Sequence, residues 1–393
     1  MNGRILPALS GLALLTLVVG CGEESGSPTA PQAELAVAAA VAPAFRQISA
    51  GRDHSCGVTT DDRAFCWGAN WQGGLGDGTT LQRLAPVAVA GGHRFLQVSA
   101  GYGYSCGVTT DRRLFCWGGN YAGQLGDGTT TSRLLPVRVP KDLRFRHVEA
   151  GSHHTCAVTM ADVAFCWGAN DYGGIGDGTT AQRRLPTKPA GSRKWIAVSP
   201  GWWHTCGVTT DRRAYCWGFD GYGQLGDGVY HLRRLRPIAV VGGLTFTQVK
   251  AGYFHTCGIT SDDRGYCWGH NGTELGSVAT SNADQQETPR RIAGGLLFRA
   301  LDASYYHTCG VTLGNLAYCW GAGALGNATV TESATPVRVA GGLRIGQVAV
   351  GFYHACGVTT DNRAYCWGGN GWGEVGDGTD EPRPTPVAVV GPM

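Results

Sequence analysis

From residue 45 onward, apolar and polar residues alternate in short runs, and turn-forming residues stand between the runs. The segment Cys56-Gly57-Val58-Thr59-Thr60-Asp61-Asp62-Arg63-Ala64-Phe65-Cys66 is representative, with two alternating stretches flanking a bend that carries Asp. A period of two, punctuated by Gly, Asp and Asn, predicts strands joined by tight turns, here a β-hairpin. No amphipathic helical period of useful length occurs after residue 45, so the body of the chain reads as all-β.

The pattern returns seven times. Its most regular marks are seven cysteine pairs: Cys56 with Cys66, Cys106 with Cys116, Cys156 with Cys166, Cys206 with Cys216, Cys257 with Cys267, Cys309 with Cys319, and Cys356 with Cys366. Their first members are 50, 50, 50, 51, 52 and 47 residues apart. Units of this length cannot bury their own apolar faces and must lean on one another. Bent into a ring they leave no end unit exposed, which predicts one domain over residues 45–391. With 63 glycines, 17 prolines and only 16% charged residues, the composition suits many short strands and turns.

Across the predicted hairpin the two cysteines of a pair face each other on adjacent strands. Opposed residues in such a pair lie about 4.5 Å apart at Cα, within reach of a disulfide. Zinc sites favour cysteines two to four residues apart, so the spacing points to seven local cross-links and an oxidising compartment. Alternation puts Phe65 and Trp67 opposite Cys66, with Gly57 across from Phe65, so that an aromatic covers a strand glycine. The tryptophans Trp67, Trp117, Trp167, Trp217, Trp268, Trp320 and Trp367 are then expected to pack between neighbouring units.

The fifteenth cysteine stands apart. Arg4 and the apolar run Ile5 to Val19 have the parts of an export signal, and Val18-Val19-Gly20-Cys21 resembles the lipobox of bacterial lipoproteins. That resemblance implies cleavage of residues 1–20 and lipidation of Cys21, with residues 21–44 as lipidated terminus and flexible tether. Gly22 after Cys21, by resemblance to Gram-negative lipoproteins, favours the outer membrane or cell surface over the inner membrane.

The segments Gly-x-x-His-Thr-Cys-Gly-Val-Thr, Tyr-Cys-Trp-Gly-x-Asn and Gly-Gln-Leu-Gly-Asp-Gly-Thr resemble the repeat of the regulator of chromosome condensation family. The resemblance implies a seven-bladed β-propeller of four-stranded antiparallel blades. The family shows apolar residues where this chain has its cysteine pairs, and glycine where it has Asp-x-Arg at the bend. Units five and six depart further: their paths from Trp268 to Leu275 and Trp320 to Leu325 are short, and unit five carries an insertion, Ser277 to Glu287.

A four-stranded meander places the Ala-Gly-x-x-His loop and the Asn-x-x-Gly-x-Leu loop at one end. The two residues before the recurrent His include Tyr102, Trp202, Trp203, Tyr253, Phe254, Tyr305, Tyr306, Phe352 and Tyr353, and the neighbouring loops add Trp71, Tyr121, Tyr172, Tyr222 and Trp372. Such a concentration of aromatics is what protein-binding hot spots are made of. Inward packing around a channel mouth is the alternative, foremost for Tyr172 and Tyr222. The recurrent His54, His154, His204, His255, His307 and His354, with Tyr104 in unit two, sit beside Ser or Thr and are expected to be buried hydrogen-bonding groups. Asp77, Asp127, Asp177, Asp227 and Asp377 are expected to close turns through their side chains rather than to bind calcium.

No catalytic motif or unique carboxylate pair stands out, so neither enzyme activity, cofactor nor metal is expected. A net charge of +3, with the bend arginines Arg63, Arg113, Arg213, Arg264 and Arg363 each beside an Asp, gives no nucleic-acid footprint. The expected function is that of a monomeric, lipid-anchored envelope protein that binds a protein, or else a glycan, through its aromatic face. Family resemblance includes secreted bacterial inhibitors of β-lactamase that use such a face. It also offers a guanine-nucleotide exchange-type regulator as an alternative, and a purely structural envelope component is a third reading.

Overall fold

The computed structural model describes residues 42–140, 142–277, 285–323 and 325–392. The predicted signal peptide, Cys21 and the tether as far as residue 41 lie outside them, as do residues 278–284 of the unit-five insertion.

In the first unit, β1 (Phe45–Ala50), β2 (His54–Thr59), β3 (Ala64–Gly68) and β4 (Arg83–Ala88) form an antiparallel meander paired in that order. Each later unit repeats it, giving seven four-stranded sheets and 28 strands among the described residues. The first strands of successive blades touch one another around the axis, and the ring closes where the first strand of blade seven meets β1. The fold is a seven-bladed β-propeller. Every blade is built from its own four consecutive strands, so the ring closes without an exchanged strand, through loop backbone bonds such as Phe45 N–H to the Asn362 carbonyl and through side chains.

The side-chain contacts between blades recur with the repeat. Gln47 exchanges hydrogen bonds with the Val98 backbone, both at 3.0 Å, and Gln347 does the same for Ile48 across the closing joint. One layer outward, the recurrent histidines reach the Ser or Thr of the next blade: His54 to Ser105, His154 to Thr205, His204 to Thr256, His255 to Thr308 and His354 to Ser55, at 2.7–2.9 Å. Tyr104 takes the histidine's place by donating to the His154 carbonyl. Burial lowers the histidine pKa values, so the rings are neutral partners in these bonds.

Between blades lie the tryptophans. All seven are fully buried, and Trp67, Trp117, Trp167, Trp217 and Trp320 donate Nε1 to a backbone carbonyl of the preceding blade.

The seven hairpins are cross-linked. Cys56 is bonded to Cys66, Cys106 to Cys116, Cys156 to Cys166 and Cys206 to Cys216. Cys257 is bonded to Cys267, Cys309 to Cys319 and Cys356 to Cys366. The partners are directly opposed on the second and third strands, with Cα atoms 4.0–4.1 Å apart. Gly57 pairs with Phe65 as expected, yet the ring lying over it is that of Phe45: a Cβ on Gly57 would sit 2.6 Å from Phe45 Cδ1. The innermost strand, not the hairpin partner, supplies the covering aromatic because its first residue folds back over the glycine.

Asp77 Oδ1 accepts from the Thr79 amide while Oδ2 meets Arg83 at 2.8 Å. Asp127, Asp177 and Asp377 repeat this with Arg133, Arg183 and Arg383. The turn aspartates are thus occupied by amide, hydroxyl and guanidinium donors.

Candidate functional site: the loop face and the channel mouth

The turn between the first two strands of each blade carries two variable residues, and the ring geometry sends them in different directions. The first, in every unit, lines the mouth of the central channel: Arg52, Tyr102, Ser152, Trp202, Tyr253, Tyr305 and Phe352. Their rings touch in sequence around the axis. Trp202 meets Tyr253 at 4.2 Å between centroids, Tyr253 meets Tyr305 at 3.9 Å and Tyr305 meets Phe352 at 4.2 Å. Tyr102 stacks towards Trp202 at 6.3 Å, passing over Ser152, with His153 wedged against both. Arg52 closes the gap: its guanidinium carbon lies 4.1 Å from the Tyr102 ring centre and 5.0 Å from that of Phe352. Five predicted binding residues, Tyr102, Trp202, Tyr253, Tyr305 and Phe352, therefore form a half-buried collar packed on itself.

In units four to seven the second residue of the pair lies outside the collar, whereas His153 packs against it and Asp53 is buried. Trp203 and Phe254 join a satellite cluster with Tyr172, Phe219 and Tyr222, in which Trp203 lies 5.0 Å from Tyr172 and Phe254 lies 4.6 Å from Tyr222. Tyr172 and Tyr222 are packed and half-buried, but in this outer cluster rather than around the channel mouth, and Phe219, a residue from a strand end, is its unanticipated centre. Tyr306 and Tyr353, 43% and 53% exposed, rest on the collar, Tyr306 at 3.8 Å from Tyr305 and Tyr353 at 4.5 Å from Phe352, and Trp71 and Trp372, 45% and 44% exposed, meet each other edge to face at 4.7 Å. Tyr121 is exposed as well. Beside Tyr353, where the loop of unit six is short, a cleft of about 550 Å³ opens between blades six and seven, lined by Leu325, Val330 and Pro384.

From the collar down past the innermost strands the channel holds a cavity of about 230 Å³. Here the innermost strands break the repeat. The position held by Ser49, Ser99 and Ser199 becomes Glu149, Lys250, Asp302 and Ala349 in the other units. Lys250 Nζ reaches Glu149 Oε1 at 2.5 Å and Asp302 Oδ1 at 3.8 Å, joining blades three, five and six across the lumen, and His147 Nε2 lies 3.2 Å from the same Glu149 oxygen. Desolvation opposes all three charges. Lys250 nevertheless holds Glu149 well below the usual carboxylate range, whereas for Asp302 burial wins and its pKa is raised. Asp302 also replaces the serine hydroxyl as the acceptor of a neighbouring-blade amide, that of Val350 at 2.8 Å. This cluster was not foreseen, although overlaying the seven innermost strands exposes the substitutions.

A second departure sits at the joint of blades seven and one. Asp53 and Glu374 are both buried and have raised pKa values, from desolvation first, with Asp53 adding its charge to the effect on Glu374.

A family model for the RCC1-like domain matches residues 17–305, and one for the regulator of chromosome condensation (RCC1) repeat matches residues 346–373. The chain belongs to the RCC1-like domain family. Among solved structures, the fold is similar to human WBSCR16, with a TM-score of 0.75 and 22% identity over 84% of this chain and 94% of that one. It is similar also to Prp20p of Saccharomyces cerevisiae, at 0.75 and 20% over 84% and 87%, whose structure was determined with its binding properties to Gsp1p and histones. Yeast RCC1 (Prp20) bound to Kap60 gives 0.74 and 18%, over 95% and 91%. At these identities the likeness is one of fold. No curated protein matches the chain.

Proposed function

We propose that this RCC1-like propeller is a non-enzymatic binding module of a bacterial envelope, tethered through a lipidated Cys21, and that it grips a protein partner with the outer aromatics of its loop face. The observation that carries this reading is the exposure of Trp71, Trp372, Tyr306, Tyr353 and Tyr121 around a collar whose own aromatics are half-buried against one another; Tyr230 is exposed as well. Large rigid side chains at the centre of an interface give up little entropy and bury much apolar area, the usual composition of a hot spot. Seven disulfides and the export-type amino terminus support placement outside the cytoplasm.

Family membership favours a second reading, exchange-type regulation of a small GTPase. The disulfides speak against it, since reducing compartments keep such thiols free.

The two are separated by cross-linking capture from the native envelope with wild type and with the combined Trp71→Ala, Tyr306→Ala, Tyr353→Ala, Trp372→Ala variant. Each truncated hot-spot aromatic costs about 2 kcal/mol, so the variant is expected to lose its partner more than 100-fold with an unchanged melting temperature. Undiminished capture by the variant refutes the aromatic-face reading.

A further inference from the structure

The channel mouth already holds a cation. Arg52 occupies the one place in the collar where the repeat offers neither an aromatic nor a serine, and it lies over two ring faces at 4.1 and 5.0 Å. Its polar satisfaction is poor. Nε is buried without a hydrogen-bond partner, and the nearest carboxylate oxygen, Asp53 Oδ2, is 3.5 Å away. A guanidinium held by ring faces and one long ionic contact is weakly held and readily displaced.

Beneath it lies a cavity with charges of its own. Glu149 and Asp302 share the single ammonium of Lys250, and Asp302 Oδ1, at 3.8 Å from Nζ, is the looser of the two contacts. Both carboxylate side chains keep part of their surface towards the lumen, 16% and 21%. Aromatic faces above and an incompletely neutralised carboxylate below are complementary to one kind of guest.

We propose that the space between the collar and Asp302 is a binding site for an alkylguanidinium cation, and that Arg52 is a built-in competitor that holds the site closed. The cation enters past Tyr102 and Phe352, takes over the ring faces that Arg52 vacates and points its charge at Asp302. A free small molecule and an arginine side chain on a partner's loop present the same chemistry. The inference concerns the axis and stands whether or not the outer aromatics bind a protein.

Calorimetric titration of the full chain with agmatine, at ionic strength held constant with sodium chloride, tests it. Removing the competitor by Arg52→Ala should tighten binding about tenfold, and Arg52→Gln, which keeps more of the packing, should do so in the same direction. Adding Asp302→Asn, which retains the acceptor for the Val350 amide, should reverse the gain. Equal affinity in wild type and both Arg52 variants overturns the proposal, and so does indifference to Asp302→Asn. A cyclic peptide with arginine at its tip, compared with its citrulline counterpart, identifies the source. Tighter binding than agmatine, lost with citrulline, assigns the site to a protein side chain. Weaker binding than agmatine assigns it to a free cation. A citrulline peptide that binds as well as the arginine one overturns the requirement for charge.

Discussion

Replacing Asp220 with Asn should stabilise the propeller, and more so as pH rises. In four units an asparagine organises the loop between the third and fourth strands. Asn70 accepts from the Leu75 amide through Oδ1 and donates through Nδ2 to Asp77 Oδ1 and the Thr79 carbonyl, at 3.0–3.1 Å. Asn120, Asn170 and Asn370 keep the same acceptor, to Leu125, Ile175 and Val375. In unit four the residue is Asp220. Its Oδ1 still accepts, from Leu225 at 3.0 Å, but Oδ2 is buried without a partner where the other units place an NH2 donor. Burial first, then the charges of Asp227 and Glu287, push its pKa up to about 7 from 3.8. An acid whose folded-state pKa exceeds the unfolded value costs nothing below the unfolded pKa. The cost grows as pH rises and levels off above the folded pKa. Three units at about 1.36 kcal/mol each give an upper bound of roughly 4 kcal/mol at pH 8, against roughly 1.5 kcal/mol at pH 5. Asn does not titrate and restores the donor. Urea unfolding with disulfides intact should therefore find Asp220→Asn more stable at pH 8 by about 2–4 kcal/mol, an advantage about 2 kcal/mol smaller at pH 5. A difference independent of pH, or a variant less stable than wild type, refutes the reasoning.

Two further outcomes follow from other departures in the repeat. His307 has neither ring nitrogen hydrogen-bonded, and the next blade presents Ala355 where the others present Ser or Thr; Ala355→Thr should supply the missing hydroxyl and raise stability by about 1 kcal/mol, whereas a lowered unfolding midpoint would show that the site cannot take the larger side chain. Cys21→Ala should abolish fatty-acid labelling of the mature chain and its recovery with membranes, and labelling that survives the substitution contradicts lipidation at Cys21.

Much of the fold was legible because the chain states it seven times. Cysteine spacing, strand alternation and the His-Ser/Thr pairs each recur at one phase of the unit, so local chemistry and global architecture agree. The division of each aromatic pair was not legible. Trp202 and Trp203 are neighbours of identical chemistry, and only the curvature of the ring sends one to the axis and the other to the rim. Nor could alternation say that Phe45 rather than Phe65 covers Gly57, since that depends on how the innermost strand twists over its neighbour. Glu149, Lys250 and Asp302 are far apart along the chain, and meet only because closure brings three first strands around one lumen.

The positions that break the repeat share a physical logic. A charged trio in the lumen and a guanidinium in the collar each carry a desolvation cost that a lone small domain tolerates poorly. Here every blade has a hairpin cross-link, each worth about 2–3 kcal/mol by loop closure and less where the hairpin already restrains its ends. Such staples hold the second and third strands, leaving the first strand and its following turn as the places where sequence varies with least damage to the ring. Arg52, Glu149, Lys250 and Asp302 all fall on that strand or turn, and so do Tyr306 and Tyr353. The exposed Trp71 and Trp372 come from the other loop of the same face. Chemical variety is thus greatest at one end of the axis, while at the opposite end five units keep the Asp-x-Arg bend and only units three and six, with Ala161-Asp162-Val163 and Gly314-Asn315-Leu316, depart from it. A binding surface on this propeller is therefore to be sought around the channel mouth, where the units differ most, before the bends, where five of the seven agree.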